Sequence, residues 1–200
     1  MLEQKKIGDY YLIIDHENYP ENPREWDNLT KMVCVHPKYD LLGDNHNYKR
    51  NDYKSWGELE KDIIKRENVG IILPLYIYDH SGITISTTPF NCKWDSTQIG
   101  FIYITRDIIF ENFKHHFING VYVNKILTKK IKEIFTQRLL NELKCYDQYL
   151  QNEVYSFEIV KDDERVEYCG GYYDLDECIK EGTDMVNDFI NENVIHQEML

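Results

Sequence analysis

VGIILPLYIY, residues 69–78, is the most apolar stretch of the chain. Its β-branched and aromatic side chains favour a buried strand, and Pro74 within it marks a bulge or an edge position. The turn signal DHSG at 79–82 leads into a short apolar run at 83–86, and a second core strand, QIGFIYIT, follows at 98–105. Because strands that are adjacent in sequence tend to pair directly, this region predicts an antiparallel sheet.

Further strand signals lie towards both ends of the chain. The predicted strands there are IGDYYLII (7–14), KMVCVH (31–36), VYSFEIV (154–160) and RVEYC (165–169). The last two form a predicted hairpin around the polar turn at 162–164, which contains no glycine. Their short length and apolar content are typical of half-buried strands.

Helix signals separate these strands. Ser55 followed by Glu58 is a capping box, and an apolar stripe at helical spacing comes after it. Thr105 and Thr128 are candidate N-caps of a short helix at 106–116 and a long helix ending near residue 150. An acidic helix is predicted at 175–193.

This order of elements predicts an α+β fold, mainly antiparallel sheet with about four helices. No linker rich in Pro, Gly or Ser interrupts the sequence, so we expect a single domain over 1–200. The irregular segment 38–54 is long for a connection, which indicates that it is either functional or mobile.

Charge is concentrated in the last quarter of the chain. The formal net charge is −12, and residues 151–200 hold 14 acidic against 3 basic side chains. These residues are a candidate acidic C-terminal subdomain. An acidic chain repels phosphates, so we expect no direct binding of nucleic acid. No apolar run is long enough to span a membrane, and no signal peptide is visible, so we expect a cytoplasmic protein.

Four groups of residues resemble a known family. They are LPLYIYDHSGIT (73–84), WDSTQIGFIYIT (94–105), YDQYL (146–150) leading into VYSFE (154–158), and NPREWDNL (22–29) with MVC (32–34). The family consists of small proteins encoded by phages, prophages and plasmids, mostly of Gram-positive bacteria. The resemblance covers roughly residues 10–175 and implies a counter-defence factor of the anti-CRISPR or antirestriction type.

Such a factor binds and inhibits a host defence protein, and the acidic surface suits a nuclease that binds nucleic acid. The expected mechanism is steric and electrostatic, with no catalysis and no cofactor. The predicted partner-binding residues are the C-terminal acids: Asp162, Asp163, Glu164, Glu167, Asp174, Asp176, Glu177, Glu181, Asp184 and Asp188.

An enzyme is the first alternative. Asp79 and His80 lie in a turn, and Asp95 and Ser96 follow Trp94 in a polar loop. If the flanking strands pair, an Asp–His contact there can serve acid/base chemistry or simply fix the loop. Consecutive residues on extended backbone point to opposite faces, so residues 79–81 cannot form a triad among themselves.

A module that binds a small anionic ligand is the second alternative. Its candidate residues cluster at the start of the long helix, where backbone N–H groups also favour anions: Lys125, Lys129, Lys130 and Lys132. The spacing of Cys, His and acidic residues matches no zinc or calcium motif, so we expect no metal site.

Overall fold

A computed structural model describes residues 1–92, 94–113 and 126–198. These residues form four α-helices and two four-stranded antiparallel sheets, which confirms the predicted α+β class. The chain divides into two compact units. Unit 1 comprises residues 1–22 and 148–200, and unit 2 comprises residues 23–147. Each unit has its own sheet, and the single domain over 1–200 stays a prediction.

The elements have the following bounds. The strands are β1 (Glu3–Ile7), β2 (Tyr10–His16), β3 (Lys31–Cys34), β4 (Val69–Asp79), β5 (Ile83–Ser86), β6 (Ser96–Thr105), β7 (Tyr155–Lys161) and β8 (Glu164–Tyr172). The helices are α1 (Trp56–Arg66), α2 (Arg106–Phe113), α3 (Lys129–Leu150) and α4 (Leu175–Glu198).

The sheet of unit 2 has the strand order β3-β6-β4-β5. Its two inner strands, β4 and β6, pair along most of their length. The predicted strand at 69–78 is found as β4, in the interior of the sheet, with Ile71, Leu75 and Ile77 buried and its other residues half-buried. Pro74 lies within it without ending it, and the register shifts nearby, between Leu75 and Tyr76. Leu59 and Ile63 of α1 are fully buried and belong to the same core as Phe101 and Tyr103 of β6.

Gly100 is required where β6 meets β3. A Cβ atom at this position would lie 1.7 Å from the carbonyl oxygen of Val33. Since real Cβ atoms never approach backbone oxygen so closely, only glycine permits this spacing of the two strands. The close approach holds Val33 and Cys34 against the core, where both are buried.

The three predicted N-caps are confirmed. Ser55 Oγ accepts the Glu58 N–H at 3.2 Å. Thr105 Oγ1 accepts the N–H of Ile108, and Thr128 Oγ1 accepts the N–H of Ile131, both at 3.3 Å. Residues 114–116, predicted as the end of the second helix, lie outside the described residues.

Unit 1 has the strand order β1-β2-β7-β8, with α4 packed against β2 and β7. Its core joins alternate residues of both strands to one face of the helix. The buried members are Tyr10, Leu12, Ile14, Phe157, Ile159, Cys178 and Val186. The predicted inward residues Ile179, Met185, Phe189 and Ile190 pack at the margin of this core.

The prediction of one strand over residues 7–14 is wrong. The chain turns back after Ile7, with Gly8 at φ +59°, and continues as β2. The missed strand β1, EQKKI, is an edge strand with four of its five residues exposed. Such a strand needs no apolar alternation, so its sequence carries no strand signal.

The predicted hairpin of residues 154–169 is confirmed as β7 and β8. Asp162 and Asp163 form its turn with φ of +50° and +63°. Two consecutive positive φ angles are typical of a type I′ turn, whose twist matches that of the flanking strands. Aspartate tolerates this conformation better than most residues, which explains a tight turn without glycine.

Candidate functional site

The ten predicted partner-binding acids are all exposed side chains of unit 1. Asp162 and Asp163 occupy the hairpin turn, and Glu164 and Glu167 lie on β8. The other six belong to α4 or immediately precede it. The structure therefore places all ten predicted residues on solvent-accessible positions of one compact unit.

Four of these acids form a single row along α4, which we call the α4 acidic stripe: Glu177, Glu181, Asp184 and Asp188. Their spacing of four, three and four residues places them on one face of a helix. With a rise of about 1.5 Å per residue, the stripe is about 16 Å long. Cys178 and Val186, which point to the core, fix the orientation of this face.

Unit 1 offers few cations to neutralise this surface. It contains 19 acidic and 5 basic residues, a net charge of −14, whereas unit 2 has a net charge of +2. None of the ten acids forms an ion pair with another described residue. Lys161 and Arg165 instead lie over the rings of Tyr10 and Tyr168, at 4.9 and 5.8 Å. The negative field of unit 1 is thus largely uncompensated.

Asp174 has a structural role as well. Its Oδ1 accepts the Glu177 N–H at 3.0 Å, so Asp174 is the N-cap of α4. Asp176 and Glu177 in the first turn also interact favourably with the helix dipole. Asp162 and Asp163 form the hairpin turn, and Glu167 accepts the Tyr168 N–H. The acids without such a role are therefore Glu164 of β8 and Glu181, Asp184 and Asp188 of α4.

The candidate catalytic residues do lie close together. The Asp79 N–H donates to the carbonyl of Asp95 at 2.9 Å, and His80 Nδ1 lies 3.7 Å from Asp95 Oδ2. Ser96 pairs with Tyr78 at the start of β6. The predicted proximity of Asp95 and His80 is therefore found, but their side chains are too far apart for a hydrogen bond.

The carboxylate of Asp79 is already occupied. It accepts hydrogen bonds from Lys38 Nζ at 2.5 Å and from Tyr39 Oη at 2.7 Å. The Lys38 ammonium, followed by the Tyr39 hydroxyl, holds the pKa of this carboxyl below its ordinary value. A carboxylate stabilised in this way is a weak base, which favours a role in fixing the loop.

Cys92 is a neighbour that the sequence did not indicate. Its thiol donates to Asp95 Oδ2 at 3.4 Å, which places the carboxylate between the thiol and His80. Nucleophilic catalysis needs the histidine next to the thiol and the carboxylate behind the histidine. The observed order instead favours a structural role for the three side chains, and His80 is 64% exposed.

The lysine cluster lies at the start of α3. Lys129, Lys130 and Lys132 are exposed, while Lys125 lies outside the described residues. Lys129 Nζ lies 3.8 Å from Glu133, and Thr128 already caps the helix through the Ile131 N–H. These contacts are typical of a solvated helix start and do not by themselves indicate a ligand.

Two cavities in unit 2 flank the segment that precedes α1. The larger has a volume of about 630 Å³ and is lined mainly by residues 34–51. The smaller, of about 220 Å³, extends towards Lys31, Arg66 and Tyr103. Asp44, Asn45, His46 and Tyr48 line both. None of the four candidate catalytic residues lines either cavity.

Buried polar contacts shape the wall shared by these cavities. Arg24, only 7% exposed, binds both carboxylate oxygens of Asp44, at 3.1 and 2.6 Å. Asp44 also accepts the Met32 N–H at 2.8 Å. His46 Nε2 lies 2.8 Å from the Cys34 carbonyl, and its Nδ1 accepts the Tyr48 N–H at 3.2 Å. Residues 38–54 stand out in the sequence as an unusually long connection, but the cavity that they help to line could not be predicted, because its shape depends on the contacts of Asp44 with Arg24 and Met32.

A carboxylate in the smaller cavity binds a buried tyrosine. The hydroxyl of Tyr48 donates to Glu67 at 2.9 Å. Burial, followed by this hydrogen bond, raises the pKa of the Tyr48 hydroxyl well above its ordinary value. Burial and then the charge of Glu67 raise the pKa of Tyr103 in the same direction. Both tyrosines therefore stay neutral to a higher pH than they would in an unfolded chain.

This shift predicts alkaline instability. An unfolded tyrosine has a pKa of about 10. The contribution of Tyr48 to stability is complete below that pH and is lost as pH rises through the raised pKa of the folded state. We expect Tyr48→Phe to lose about 1 kcal/mol of unfolding free energy at neutral pH. The gap to wild type should narrow above pH ~10. Urea unfolding across this pH range measures the unfolding free energies of wild type and of Tyr48→Phe. A difference between them that does not change with pH would contradict the prediction.

Among the described residues, no three His, Cys, Asp or Glu side chains are grouped so that they could hold a metal ion. No helix within those residues has both the length and the apolar character needed to cross a bilayer. No family model, curated protein or solved structure matches the chain. The resemblance to mobile-element proteins therefore stays a prediction.

Proposed function

We propose that this chain is a counter-defence inhibitor from a phage or another mobile element. It binds a host defence protein of the restriction or CRISPR type at the groove where that protein binds nucleic acid. The observation that carries the proposal is the exposure of all ten predicted acids on unit 1, none of which forms an ion pair with another described residue. The family resemblance at residues 10–175 supplies the biological setting.

The charge density of unit 1, more than the spacing of single carboxylates, supports this choice of partner. The α4 acidic stripe presents about one carboxylate per 5.5 Å of helix axis, given a rise of about 1.5 Å per residue. A nucleic-acid strand in a duplex presents one phosphate per about 3.4 Å. The stripe alone is thus sparser than a strand, and the hairpin acids Asp162, Asp163 and Glu164 add to the negative field of the same unit.

The rigid position of α4 also supports an acidic interface. The α4 acidic stripe lies on a helix whose opposite face is buried against β2 and β7. Carboxylates on such a scaffold lose little backbone entropy on binding, so more of their attraction appears as affinity. The carboxylates speed up association with a basic groove, in a way that depends on salt. Once bound, the inhibitor blocks the groove sterically. The proposed mechanism requires no chemical step.

Charge reversal tests the proposal. The variant carries Glu177→Lys, Glu181→Lys, Asp184→Lys and Asp188→Lys. The matched control reverses four exposed acids of unit 2, with Glu25→Lys, Asp27→Lys, Asp107→Lys and Glu111→Lys, and has the same net charge. We expect the first variant to lose affinity for the partner by at least about 100-fold, because each reversal places like charges together. The control should bind almost as tightly as wild type.

The measurement is a pull-down from host lysate at low and high salt, followed by binding assays with the recovered protein. Support requires a partner that binds nucleic acid, is released by high salt and is displaced by a competing DNA duplex. Equal capture by the reversal variant and wild type would contradict the acidic interface. Capture that DNA does not displace would contradict the proposed groove. Circular dichroism confirms that both variants are folded.

A further inference from the structure

We propose that the larger cavity of unit 2 binds a small phosphate ester of mononucleotide size. This inference is independent of the acidic surface, which belongs to unit 1. The volume of about 630 Å³ lies within the range of about 300–1,000 Å³ typical of small-molecule sites. A cavity of this size holds a phosphate together with a sugar or a base, and is larger than a free phosphate needs.

The charges of the lining favour an anion. Lys49 and Arg50 contribute two cations. Of the two lining carboxylates, Asp44 is neutralised by the two contacts from Arg24. Asp40 is the remaining acid, so the cavity has a net positive charge of about one. Lys49 is exposed and forms no ion pair with a described residue, so its ammonium is free to bind a ligand.

Arg50 is held in place without a carboxylate partner. Its guanidinium lies over the Trp56 ring at 4.8 Å, and one terminal nitrogen donates to the Tyr53 carbonyl at 2.7 Å. A guanidinium carries five N–H donors, so most of them remain available. An arginine that is fixed by an aromatic ring and a carbonyl keeps its full charge for an incoming phosphate. This arrangement is the clearest sign of a prepared anion site.

The other polar groups fit the organic part of the ligand. The side-chain amides of Asn45 and Asn51 form no hydrogen bond with a described residue. Asp40 accepts the Leu41 N–H through Oδ1 at 3.0 Å, which leaves Oδ2 to accept from a hydroxyl group. Amides and a carboxylate together suit the hydroxyls of a sugar and the polar edge of a base.

The cavity binds its ligand without covalent chemistry. Cys34 is its thiol, and burial raises the pKa of this group to about 12. A thiol that stays protonated is a poor nucleophile. His46 has both ring nitrogens bonded to backbone groups, so it shapes the wall and takes no proton from a ligand.

NMR titration of the full chain tests this proposal. The probes are AMP, ribose 5-phosphate, inorganic phosphate, adenosine and a single-stranded oligonucleotide, each up to a few millimolar. We expect AMP to shift the backbone amides of residues 40–51. We expect Lys49→Gln to weaken AMP binding at least about tenfold, because the variant loses a charge-assisted hydrogen bond to the phosphate. Lys54→Gln is the matched control, because Lys54 is an exposed lysine of the same segment that does not line the cavity.

Each other result overturns the proposal. Unchanged amides at 40–51 with both phosphate esters would exclude the site. Equal affinity for adenosine and AMP would exclude the phosphate, and equal affinity for inorganic phosphate and AMP would exclude the ester. Stronger binding of the oligonucleotide than of AMP would make the cavity part of a nucleic-acid surface. Equal affinity of Lys49→Gln and Lys54→Gln for AMP would show that Lys49 does not bind the phosphate. Amide signals outside residues 40–51 that match those of wild type show that the variants are folded.

Discussion

Replacing Gly100 with alanine is expected to destabilise unit 2 by about 3 kcal/mol or more. The added Cβ atom would lie 1.7 Å from the Val33 carbonyl oxygen and 2.8 Å from its carbonyl carbon. These atoms belong to the backbone of β3, which cannot rotate away as a side chain can. The strand must move instead, at the cost of the pairing that buries Val33 and Cys34.

Urea unfolding measures this loss as a lower midpoint. Gly82→Ala is the matched control, because a Cβ atom there has no heavy atom within 4 Å. Both variants reduce the flexibility of the unfolded chain alike, so their difference isolates the steric clash. Equal midpoints for the two variants would show that β3 and β6 can separate at little cost.

Arg24→Met is expected to cost about 3 kcal/mol, the upper part of the range for hydrogen bonds to a charged group, because Arg24 is only 7% exposed while Asp44 is 25% exposed. Asp44 would keep only its hydrogen bond to the Met32 N–H. Thr30 would also lose contacts, since its hydroxyl and its carbonyl accept from Arg24 at 3.1 and 3.0 Å. Because Asp44 lines both cavities, we expect the shape of the proposed ligand site to change as well.

A second variant separates the buried charge from general damage to packing. The double variant Arg24→Met with Asp44→Leu leaves no unpaired charge, and buried ion pairs replaced by apolar residues often fold well. We therefore expect the double variant to unfold at a higher urea concentration than Arg24→Met alone. A double variant that is less stable than the single one would show that the Met32 and Thr30 contacts matter more than the ion pair.

Local patterns in the sequence predicted most of the elements. The caps at Ser55, Thr105 and Thr128 depend on residues three positions apart, so their contacts follow directly from the sequence. The apolar run at 69–78 also predicts the strand β4, although only Ile71, Leu75 and Ile77 in it are buried. In such cases the interactions that determine the structure are made between residues close together in the sequence.

Contacts over long separations could not be predicted in this way. Glu142 accepts the N–H groups of Leu29 and Thr30 across more than 110 residues, at 2.9 and 3.1 Å. Arg24 and Asp44 pair across 20 residues of chain, on opposite sides of β3 in the sequence. Nothing in the composition of these segments selects one partner among many. The larger cavity is lined by one segment, residues 34–51, but its shape depends on the pairing of Asp44 with Arg24, which the sequence does not predict.

The loop at His80 illustrates the difference between proximity and chemistry. Strand pairing predicts that residues 79–80 and 95–96 lie together, and they do. Pairing does not determine side-chain contacts, however. Lys38 and Tyr39 bind Asp79, and the Cys92 thiol contacts Asp95, while the His80 ring stays 3.7 Å from the Asp95 carboxylate.

The outer strands of the unit 1 sheet have a consequence for aggregation. β1 and β8 are its two edges, so each leaves backbone donors and acceptors unpaired within the sheet. A flat apolar edge would recruit strands from other chains. Lys5 and Lys6 on β1, and Glu164 and Glu167 on β8, place exposed charges along these edges. Two of the acids assigned to partner binding therefore also keep copies of the chain apart, and selection for solubility alone would retain them.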